Sequence, residues 1–307
     1  MPRDVVEVGN VGTSVGTEKW IFVSFADGNE AITDAGKRIA AQALQLGIFH
    51  KIYVFNGIGL ATVDEDYRNI YFSDSGKSRG FGYWVWKPIV LRYLDRQNHV
   101  SGDQIAGVIY ADAGCEIPVN HYSRKRFLSI FELTKRSAVI ADVTRHSEIK
   151  YTKRAIFEVI DPHYSHAMTP QLSATWLAVR FNSNGQDFLN SWTRLALQNN
   201  GALINDLISK EDHRFIENRH DQSLFSLLFK EYSFTPHQIR YRHFLGSLTN
   251  SMHPIWTSRN RTGQTIIKSW VNNDLVAFIG TLFEISSHIR MWKCKTKIPL
   301  SKTKNYG

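Results

Sequence analysis

Apolar residues in this chain occur in short runs separated by segments of helical periodicity. The run from Trp20 to Phe25 is β-branched and aromatic and stops at Asp27-Gly28, which predicts a buried strand. Between Ala31 and Leu46 the apolar residues recur at spacings of three and four, which predicts a helix that ends at Gly47. A further run, Lys51 to Asn56, predicts the next strand. The order strand, helix, strand predicts a parallel α/β unit.

The same alternation continues through most of the chain. Residues 57–82 are polar and interrupted by glycine, which predicts a long connection of functional or mobile character. Helical periodicity resumes at Tyr83 and runs to Arg96, with the helix proper starting near Lys87 because Pro88 fits only a first turn. The remaining predicted elements are strands at 105–111, 137–141 and 174–181 and helices at 122–136, 185–198 and 221–232.

The chain is predicted to have three parts. Residues 1–18 are rich in Gly, Val and Thr without periodicity, which predicts a flexible N-terminal arm. Residues 19–263 are predicted to form one α/β domain, with a mostly parallel, Rossmann-like sheet flanked by helices. Residues 264–307 are predicted to form a helical, basic C-terminal extension. The 307 residues, 43% of them apolar, are enough to bury one large core.

The charge of the chain is unevenly distributed. The formal net charge of +9 permits nucleic acid, an anionic membrane or a phosphorylated small molecule as a partner. Six basic residues and no acidic ones follow Ser286, so the tail carries most of the excess. This pattern disfavours nucleic acid, which needs basic and aromatic residues interleaved on one face. The tail is either a basic amphipathic segment resting on an anionic membrane surface or a solvated end behind a docked helix.

Cysteine content and hydropathy predict the compartment. The two cysteines, Cys115 and Cys294, do not make a disulfide framework, and the chain opens without a secretory leader. The most apolar C-terminal stretch, 271–289, is interrupted by polar and charged residues and is too polar to span a membrane. We therefore expect a cytoplasmic protein, with peripheral attachment to the inner face of the membrane if the tail binds lipid.

One strand end carries a candidate for ligand chemistry. The apolar run before Asp112 places this carboxylate at the carboxyl edge of a parallel sheet, where ligands bind in such folds. Ala113 and Gly114 leave room for a phosphate or metal, and Glu116 would add a second oxygen ligand for a hard cation. The alternative is that Asp112 only caps the following turn. The residues by themselves leave both readings open.

The segment from Lys77 to Pro88 is dense in cations, glycines and aromatic residues. Arg79 and Lys87 are suited to binding phosphate, and Tyr83, Trp84 and Trp86 offer rings for stacking against a base or sugar. Taken singly, Trp84 and Trp86 are better explained as anchors of the helix in the core. The combination, one helix before the Asp112 strand, favours a ligand site.

These motifs make the sequence recognisable. Arg-Gly-Phe-Gly-Tyr-Trp-Val-Trp-Lys-Pro at 79–88 and Ile-Tyr-Ala-Asp-Ala-Gly-Cys at 109–115 resemble segments of bacterial GT-A-type glycosyltransferase-like proteins of polysaccharide and O-antigen biosynthesis. The segments 174–192 and 219–228 agree with this resemblance, which covers about residues 20–263. It implies a GT-A-like fold and transfer of a sugar from a nucleotide diphosphate donor to a saccharide or lipid-linked acceptor.

The resemblance also implies a divalent cation. In such enzymes Mn²⁺ or Mg²⁺ usually bridges the diphosphate and an Asp-x-Asp strand end, and Asp112 matches the first acid. Gly114 stands where the second acid is expected, so one ligand is either missing or supplied by Glu116. His253 resembles a late histidine that completes such sites. If no metal is used, basic side chains such as Arg259 and Arg261 would clamp the phosphates.

Two carboxylates are candidates for the catalytic base. Asp221 precedes an apolar helix, where it either caps free backbone N–H groups or accepts the proton of an acceptor hydroxyl, with His220 nearby. Asp142 follows a predicted strand and is the second choice. Cys115 has no partnered histidine at a telling spacing and is predicted to be a small buried neighbour.

Three functions remain open at this point. The first is a nucleotide-sugar-dependent glycosyltransferase of hexosyltransferase type. The second is a non-catalytic nucleotide- or sugar-binding relative, which the absence of the second acid allows. The third is a nucleic-acid-binding protein, which the charge distribution disfavours. Dinucleotide binding is disfavoured because Asp27-Gly28-Asn29 stands where a Gly-x-Gly-x-x-Gly turn would follow the first strand.

Overall fold

A single mixed β-sheet lies at the centre of the molecule. The computed structural model describes residues 5–10, 18–73, 76, 79–237 and 254–264. The strands are β1 (Val5–Asn10), β2 (Lys19–Phe25), β3 (Lys51–Phe55), β4 (Ile105–Ala111), β5 (Val139–Ser147) and β6 (Pro170–Arg180), in the order β1-β3-β2-β4-β6-β5. Helices flank this sheet, which confirms the α/β class.

The sheet is less parallel than the sequence predicts. Strand β2 pairs in parallel with β3 and β4, as the predicted strand-helix-strand unit requires. Strand β1 lies antiparallel to β3, β6 antiparallel to β4, and β5 antiparallel to β6. Hydrophobic runs identify strands without fixing their direction, so the sequence could not show that β6 enters the sheet in reverse.

The predicted flexible arm contains a strand. Residues 5–10 pair antiparallel with β3 at the edge of the sheet, with a shift of register between Glu7 and Gly9. Val5, Val6 and Val8 are β-branched and favour a strand. The structure therefore has a strand at 5–10, where the sequence predicts an irregular arm because the surrounding Gly and Thr outweigh the short valine run.

Short helices replace the predicted connection at 57–82. Asn56 caps the first by accepting a hydrogen bond from the Gly59 amide, and Asp64 caps the second by accepting one from Tyr67. The helices of the molecule are α1 (Glu30–Leu46), α2 (Gly57–Val63), α3 (Glu65–Tyr71), α4 (Gly80–Tyr83), α5 (Trp86–Ser101), α6 (His121–Leu133), α7 (Glu148–Tyr151), α8 (Arg154–Ile160), α9 (Ser183–Gly201) and α10 (Asp221–Glu231).

Side chains from the two faces of the sheet form separate cores. Successive residues of β2 alternate between them, with Val23 on the face covered by α5, α9 and α10 and Phe22 on the face covered by α1 and α6. Trp20 stacks on Phe131 of α6 with ring centroids 4.2 Å apart. Both faces of the sheet are thus covered by helices.

The described part of the C-terminal region packs beside β4. Trp256 exchanges backbone hydrogen bonds with Glu116, and Ile255 is buried in the core beneath α1 and α6. Apart from Gln264, the predicted helical extension and its basic tail lie outside the described residues. Within those residues, no helix is both long and apolar enough to cross a membrane.

Candidate functional site at the carboxyl edge of the sheet

The carboxyl ends of three parallel strands meet at one edge of the sheet. The chain leaves β2 toward β3 on one side and returns to β4 on the other, which opens a crevice between the ends of β2 and β4. Asp27 follows β2, and Asp112 follows β4 as the sequence predicts. The Ser24 hydroxyl donates a hydrogen bond to the Ala111 carbonyl, 2.8 Å away, and ties the two strands together at this point.

Lys87 joins the separate predicted motifs into one cluster. Its ammonium nitrogen lies 3.0 Å from Oδ2 of Asp221 and 3.5 Å from Oδ1 of Asp112, and it donates to the Ala174 carbonyl at 3.2 Å. The Lys87 side chain is only 6% exposed. Four segments far apart in sequence, at 87, 112, 174 and 221, thus converge on one cation.

Burial and neighbouring charges shift the pKa values of the side chains in this cluster. Burial opposes the charged form of Lys87, but the attraction of Asp112 and Asp221 outweighs it and raises the pKa of the lysine. Burial raises the pKa of Asp221 to about 6, although Lys87 pulls in the other direction. Tyr110, also buried, has a pKa well above its ordinary value because of burial and the nearby Asp112 charge. Asp221 therefore titrates in the range useful to a general base.

Asp112 is the accessible carboxylate of the cluster. Its side chain is 35% exposed, and both its contact with Lys87 and its hydrogen bond from the Tyr110 hydroxyl use Oδ1. The turn after Asp112 is closed by the Cys115 amide, which donates to the backbone carbonyl of Asp112 at 2.9 Å. The turn is thus closed by the backbone carbonyl of Asp112 and not by its side chain. The Lys87 and Tyr110 contacts use Oδ1, which leaves Oδ2 to face a ligand.

The aromatic segment before α5 is a left-handed turn. Phe81, Tyr83 and Trp84 have φ values of 54°, 55° and 63°, and the glycines at 80 and 82 also have positive φ. Each non-glycine residue in this region costs on the order of 1 kcal/mol, so surrounding contacts must hold the turn. Such strain is concentrated where a protein needs an unusual backbone shape.

The rings of this turn have two different roles. Trp86 is buried, stacks on Phe25 at a centroid distance of 4.0 Å and donates to the Gly80 carbonyl, so its predicted donor-binding face is used in the core. Tyr83 and Trp84 are half-buried and lie against the imidazole of His220, with centroids 5.1 and 5.4 Å away. Exposed Arg79 covers the Trp84 ring at 5.5 Å.

His220 fixes the start of α10. Its φ of 52° is strained, and Nδ1 donates to the Ile204 carbonyl at 2.7 Å, because a carbonyl only accepts. Nε2 lies 3.6 Å from Oδ1 of Asp206. Burial lowers the pKa of His220, so the ring is neutral at pH 7. The next residue, Asp221, is thereby turned toward Lys87.

Glu116 has a structural role in place of the predicted metal ligation. The side chain is fully buried, and Oε1 accepts hydrogen bonds from Asn260 at 2.7 Å and from Ser258 at 3.3 Å. These bonds attach the 254–264 segment to the turn after β4. Arg259 and Arg261 of that segment are exposed, so they remain available to an anionic ligand.

Asp142 is held in the sheet by partners on β6 and in the 235–237 segment. It lies inside β5, beyond the predicted strand end, where Trp176 donates to Oδ2 at 2.7 Å and His237 Nδ1 lies 2.8 Å from Oδ1. Both carboxylate oxygens are thus used in joining β5, β6 and the 235–237 segment. Its role as the second-choice catalytic base stays a prediction.

Arg38 supports the site and was missed by sequence reasoning. From the buried face of α1 its guanidinium donates to the carbonyls of Ala113, Cys115, Asn260 and Thr262. It therefore holds both the turn after Asp112 and the 254–264 segment. The available signal was a cation on the apolar stripe of a predicted helix, one position before Ile39.

The predicted Mn²⁺ or Mg²⁺ site has few side-chain ligand atoms at the crevice. Asp112 is one accessible carboxylate, Gly114 has no side-chain ligand atom, and Oε1 of Glu116 accepts a hydrogen bond from Asn260. His253 lies outside the described residues. In the part of the chain that is described, no three His, Cys, Asp or Glu side chains are grouped to hold a metal. The described residues therefore do not form a protein-held metal site.

Comparisons with known proteins give distant structural likenesses. No protein-family model and no curated protein matches the chain. Mouse xyloside xylosyltransferase 1, in its apo form, is 11% identical with a TM-score of 0.41, over 78% of this chain and 97% of that one. A glycosyltransferase involved in the glycosylation of the major capsid of PBCV-1 is 8% identical with a TM-score of 0.29, over 65% and 80%. Core-mannan synthase A from Aspergillus fumigatus, in its Mn/GDP form, is 8% identical with a TM-score of 0.35, over 71% and 72%.

Proposed function

We propose that this protein is a nucleotide-sugar-dependent glycosyltransferase. The observation that supports this most directly is the meeting of Lys87, Asp112 and Asp221 at the carboxyl edge of parallel strands. The sugar is proposed to be a hexose, and the acceptor a saccharide or lipid-linked saccharide of the kind used in polysaccharide and O-antigen biosynthesis. Lys87, Asp112 and Asp221 each lie in a segment that resembles GT-A-type enzymes.

The donor side of the crevice supplies positive charge. When the bond between the sugar and the diphosphate breaks, negative charge develops on the leaving diphosphate and must be stabilised. Arg79, Arg259 and Arg261 are exposed and suited to clamping phosphate oxygens, while Lys87 adds a fixed buried charge. Titration of the donor with and without Mn²⁺ or Mg²⁺ determines whether a cation accompanies the diphosphate.

The acceptor side is assigned to Asp221. In an inverting transfer the acceptor hydroxyl oxygen attacks the anomeric carbon and forms the new glycosidic bond. The bond from that carbon to the diphosphate breaks as the hydroxyl proton passes to the Asp221 carboxylate. A pKa of about 6 suits this role, because the carboxylate is then ionised at pH 7 yet basic enough to accept a proton. Lys87 and His220 position Asp221.

A non-catalytic relative that binds nucleotide or sugar is the second candidate. It is favoured by Gly114, which stands where a second acid is expected and leaves one accessible carboxylate at the turn. Such a protein would bind donor and acceptor without transferring the sugar. Binding and turnover therefore have to be measured on the same preparation.

Isothermal titration calorimetry with a panel of nucleotide sugars, with and without Mn²⁺ or Mg²⁺, tests the proposal. We expect at least one donor to bind, and slow hydrolysis of that donor in the absence of acceptor. Binding without hydrolysis or transfer to any saccharide would favour the non-catalytic relative. The absence of binding by every donor under all cation conditions would contradict both.

A further inference from the structure

Lys153 is a buried cation that no step of the proposed transfer uses. It directly precedes α8 and is only 1% exposed. Burial lowers the pKa of its ammonium to about 8, so the group is still charged at pH 7. A charge buried in this way is costly unless hydrogen bonds satisfy it. The partners of those hydrogen bonds therefore indicate what the lysine does.

The ammonium of Lys153 holds the loop that follows α9. It donates hydrogen bonds to the backbone carbonyls of Ala202, Asn205 and Leu207 and to the side-chain oxygen of Asn205. The last residues of α9 are left-handed, so the carbonyls at this helix end have no regular helical partners. A cation is well placed at such an end, where the carbonyls carry partial negative charge. Lys153 thus fixes residues 202–207 as one unit, the 202–207 loop.

The 202–207 loop in turn holds the side chain of His220. The carbonyl of Ile204, a buried residue between Ala202 and Asn205, accepts the hydrogen bond from Nδ1 of His220 at 2.7 Å. A hydrogen bond that is shielded from water is electrostatically stronger than an exposed one. The neutral ring therefore carries its proton on Nδ1, and its orientation depends on where Lys153 holds the loop.

The backbone of His220 needs this support. Its φ of 52° lies in a region that L-residues rarely adopt, and such a conformation persists only when surrounding contacts hold it. In this conformation Oδ2 of the next residue, Asp221, lies 3.0 Å from the Lys87 ammonium. Relaxation of the His220 backbone would turn the Asp221 side chain away from Lys87. The position of the proposed base therefore depends on the hydrogen bond that anchors His220.

We propose that Lys153 is a positioning residue for Asp221, acting through the 202–207 loop and His220. The inference rests on the proposed function, because Asp221 is the catalytic base only in that function. The ammonium has three protons, and the buried oxygens of the loop accept them, so Lys153 acts on the loop and not on the substrate.

The first test compares the wild type with Lys153→Met and Lys51→Met, all as full chains. We expect Lys153→Met to lower the rate of sugar transfer by about tenfold or more, because a small displacement of a catalytic group has a large effect on rate. Donor affinity should be unchanged, and rates are expressed per donor-binding site from calorimetry, so that partial unfolding does not lower them. Lys51 pairs with Asp103 at the amino end of β3, and Lys51→Met should leave both quantities unchanged.

The second test needs no activity. Nuclear magnetic resonance of isotope-labelled histidine rings reports which nitrogen of His220 carries the proton, with the His220 signals assigned by their absence in His220→Phe. We expect the Nδ1 tautomer in the wild type and its loss in Lys153→Met, because the proton stays on the nitrogen that makes the hydrogen bond. Asn205→Ala removes one oxygen acceptor at a half-buried site and should cause the same two changes to a smaller extent, even if Lys153→Met fails to fold.

An unchanged His220 tautomer in Lys153→Met, or in Asn205→Ala if only that variant folds, would overturn the inference. An unchanged rate per donor-binding site in an active enzyme would also overturn it. If the wild type transfers no sugar, the proposed function fails. Loss of the Nδ1 tautomer in the variants would then still support the contact chain from Lys153 to His220.

Discussion

The ammonium of Lys87 lies 3.0 Å from the carboxylate of Asp221, and both side chains are almost fully buried. This ion pair links the first helix after the aromatic turn to the start of α10. Asp112 shares the same cation at 3.5 Å but remains partly exposed. The two acids therefore differ in environment although they share Lys87. Asp221 is buried and has the raised pKa that a general base needs, whereas Asp112 is partly exposed and can face a ligand.

Replacing Lys87 by Met should destabilise the protein. The change leaves Asp221 buried without its counter-ion, and breaking a buried pair costs about 3 kcal/mol or more. The decrease in the free energy of unfolding should be smaller at pH 5 than at pH 8, because the unpaired Asp221 carboxylate takes up a proton at pH 5. Urea unfolding at both pH values measures this. Lys37→Met removes an exposed pair and should leave the unfolding midpoint unchanged.

Replacing Asp221 by Asn should abolish transfer more than donor binding. Removal of a general base lowers the turnover rate by about a hundredfold or more, while the donor contacts at Asp112 persist. In the wild type the rate should rise with pH through about 6, as the carboxylate loses its proton. Steady-state kinetics and donor titrations on both proteins decide this. An equal loss of donor affinity and rate would show that Asp221 acts in binding.

Ionisation of Asp221 has opposite effects on activity and on stability. As the pH rises through about 6 the rate increases, whereas the free energy of unfolding decreases. Burial raises its folded-state pKa from 3.8 to about 6, so the folded protein holds this proton more tightly than the unfolded chain. Its contribution to stability is therefore present at pH 4 and is lost as the pH rises through about 6, by at most about 3 kcal/mol. The unfolding free energy of Asp221→Asn relative to the wild type should increase over this range. A constant difference between pH 4 and 7 would contradict the raised pKa.

Replacing Asp112 by Asn should weaken donor binding without unfolding the protein. The side chain is partly exposed, and asparagine still accepts the Tyr110 hydrogen bond. Because a carboxylate accepts hydrogen bonds from the hydroxyl groups of the donor's sugar or ribose more strongly than an amide does, donor affinity should fall by about tenfold, with or without Mn²⁺. Asp187→Asn changes an exposed acid on α9 and is the control. Unchanged affinity in Asp112→Asn would place the donor elsewhere.

Glu116 variants should distinguish a structural role from metal ligation. Glu116→Ala removes the acceptor of the Asn260 hydrogen bond and should cost about 2 kcal/mol and expose the 254–264 segment to limited proteolysis. Glu116→Gln keeps an acceptor oxygen and should preserve any cation dependence of donor binding. A large shift in the Mn²⁺ concentration needed by Glu116→Gln would restore the predicted ligand role.

We predict that the basic tail attaches the chain to anionic membranes. Six cations follow Ser286, and each contributes about 1 kcal/mol near an anionic surface. Co-sedimentation with vesicles containing phosphatidylglycerol is compared for the full chain and a chain ending at Ser286. We expect only the full chain to sediment at low salt, and equal sedimentation would contradict a membrane role for the tail.

The sequence by itself determined the elements and the main chemical groups. Periodicity correctly predicted α1, β2, β3 and β4, because a buried strand and an amphipathic helix each require a characteristic order of apolar residues. It also singled out Lys87, Asp112 and Asp221, because cations and carboxylates stand out at strand and helix ends. It did not reveal the direction of β6, which depends on strand pairing.

Tertiary structure decided which of those groups act together. Lys87 and Asp221 are separated by more than a hundred residues and meet only because α5 and α10 pack on the same face of the sheet. Glu116 and Asp142 look equivalent to Asp112 in sequence, yet the fold buries one against Asn260 and binds the other to Trp176. Local pattern assigns residue type and secondary structure, whereas burial and hydrogen-bond partners, which set reactivity, arise from contacts between distant segments.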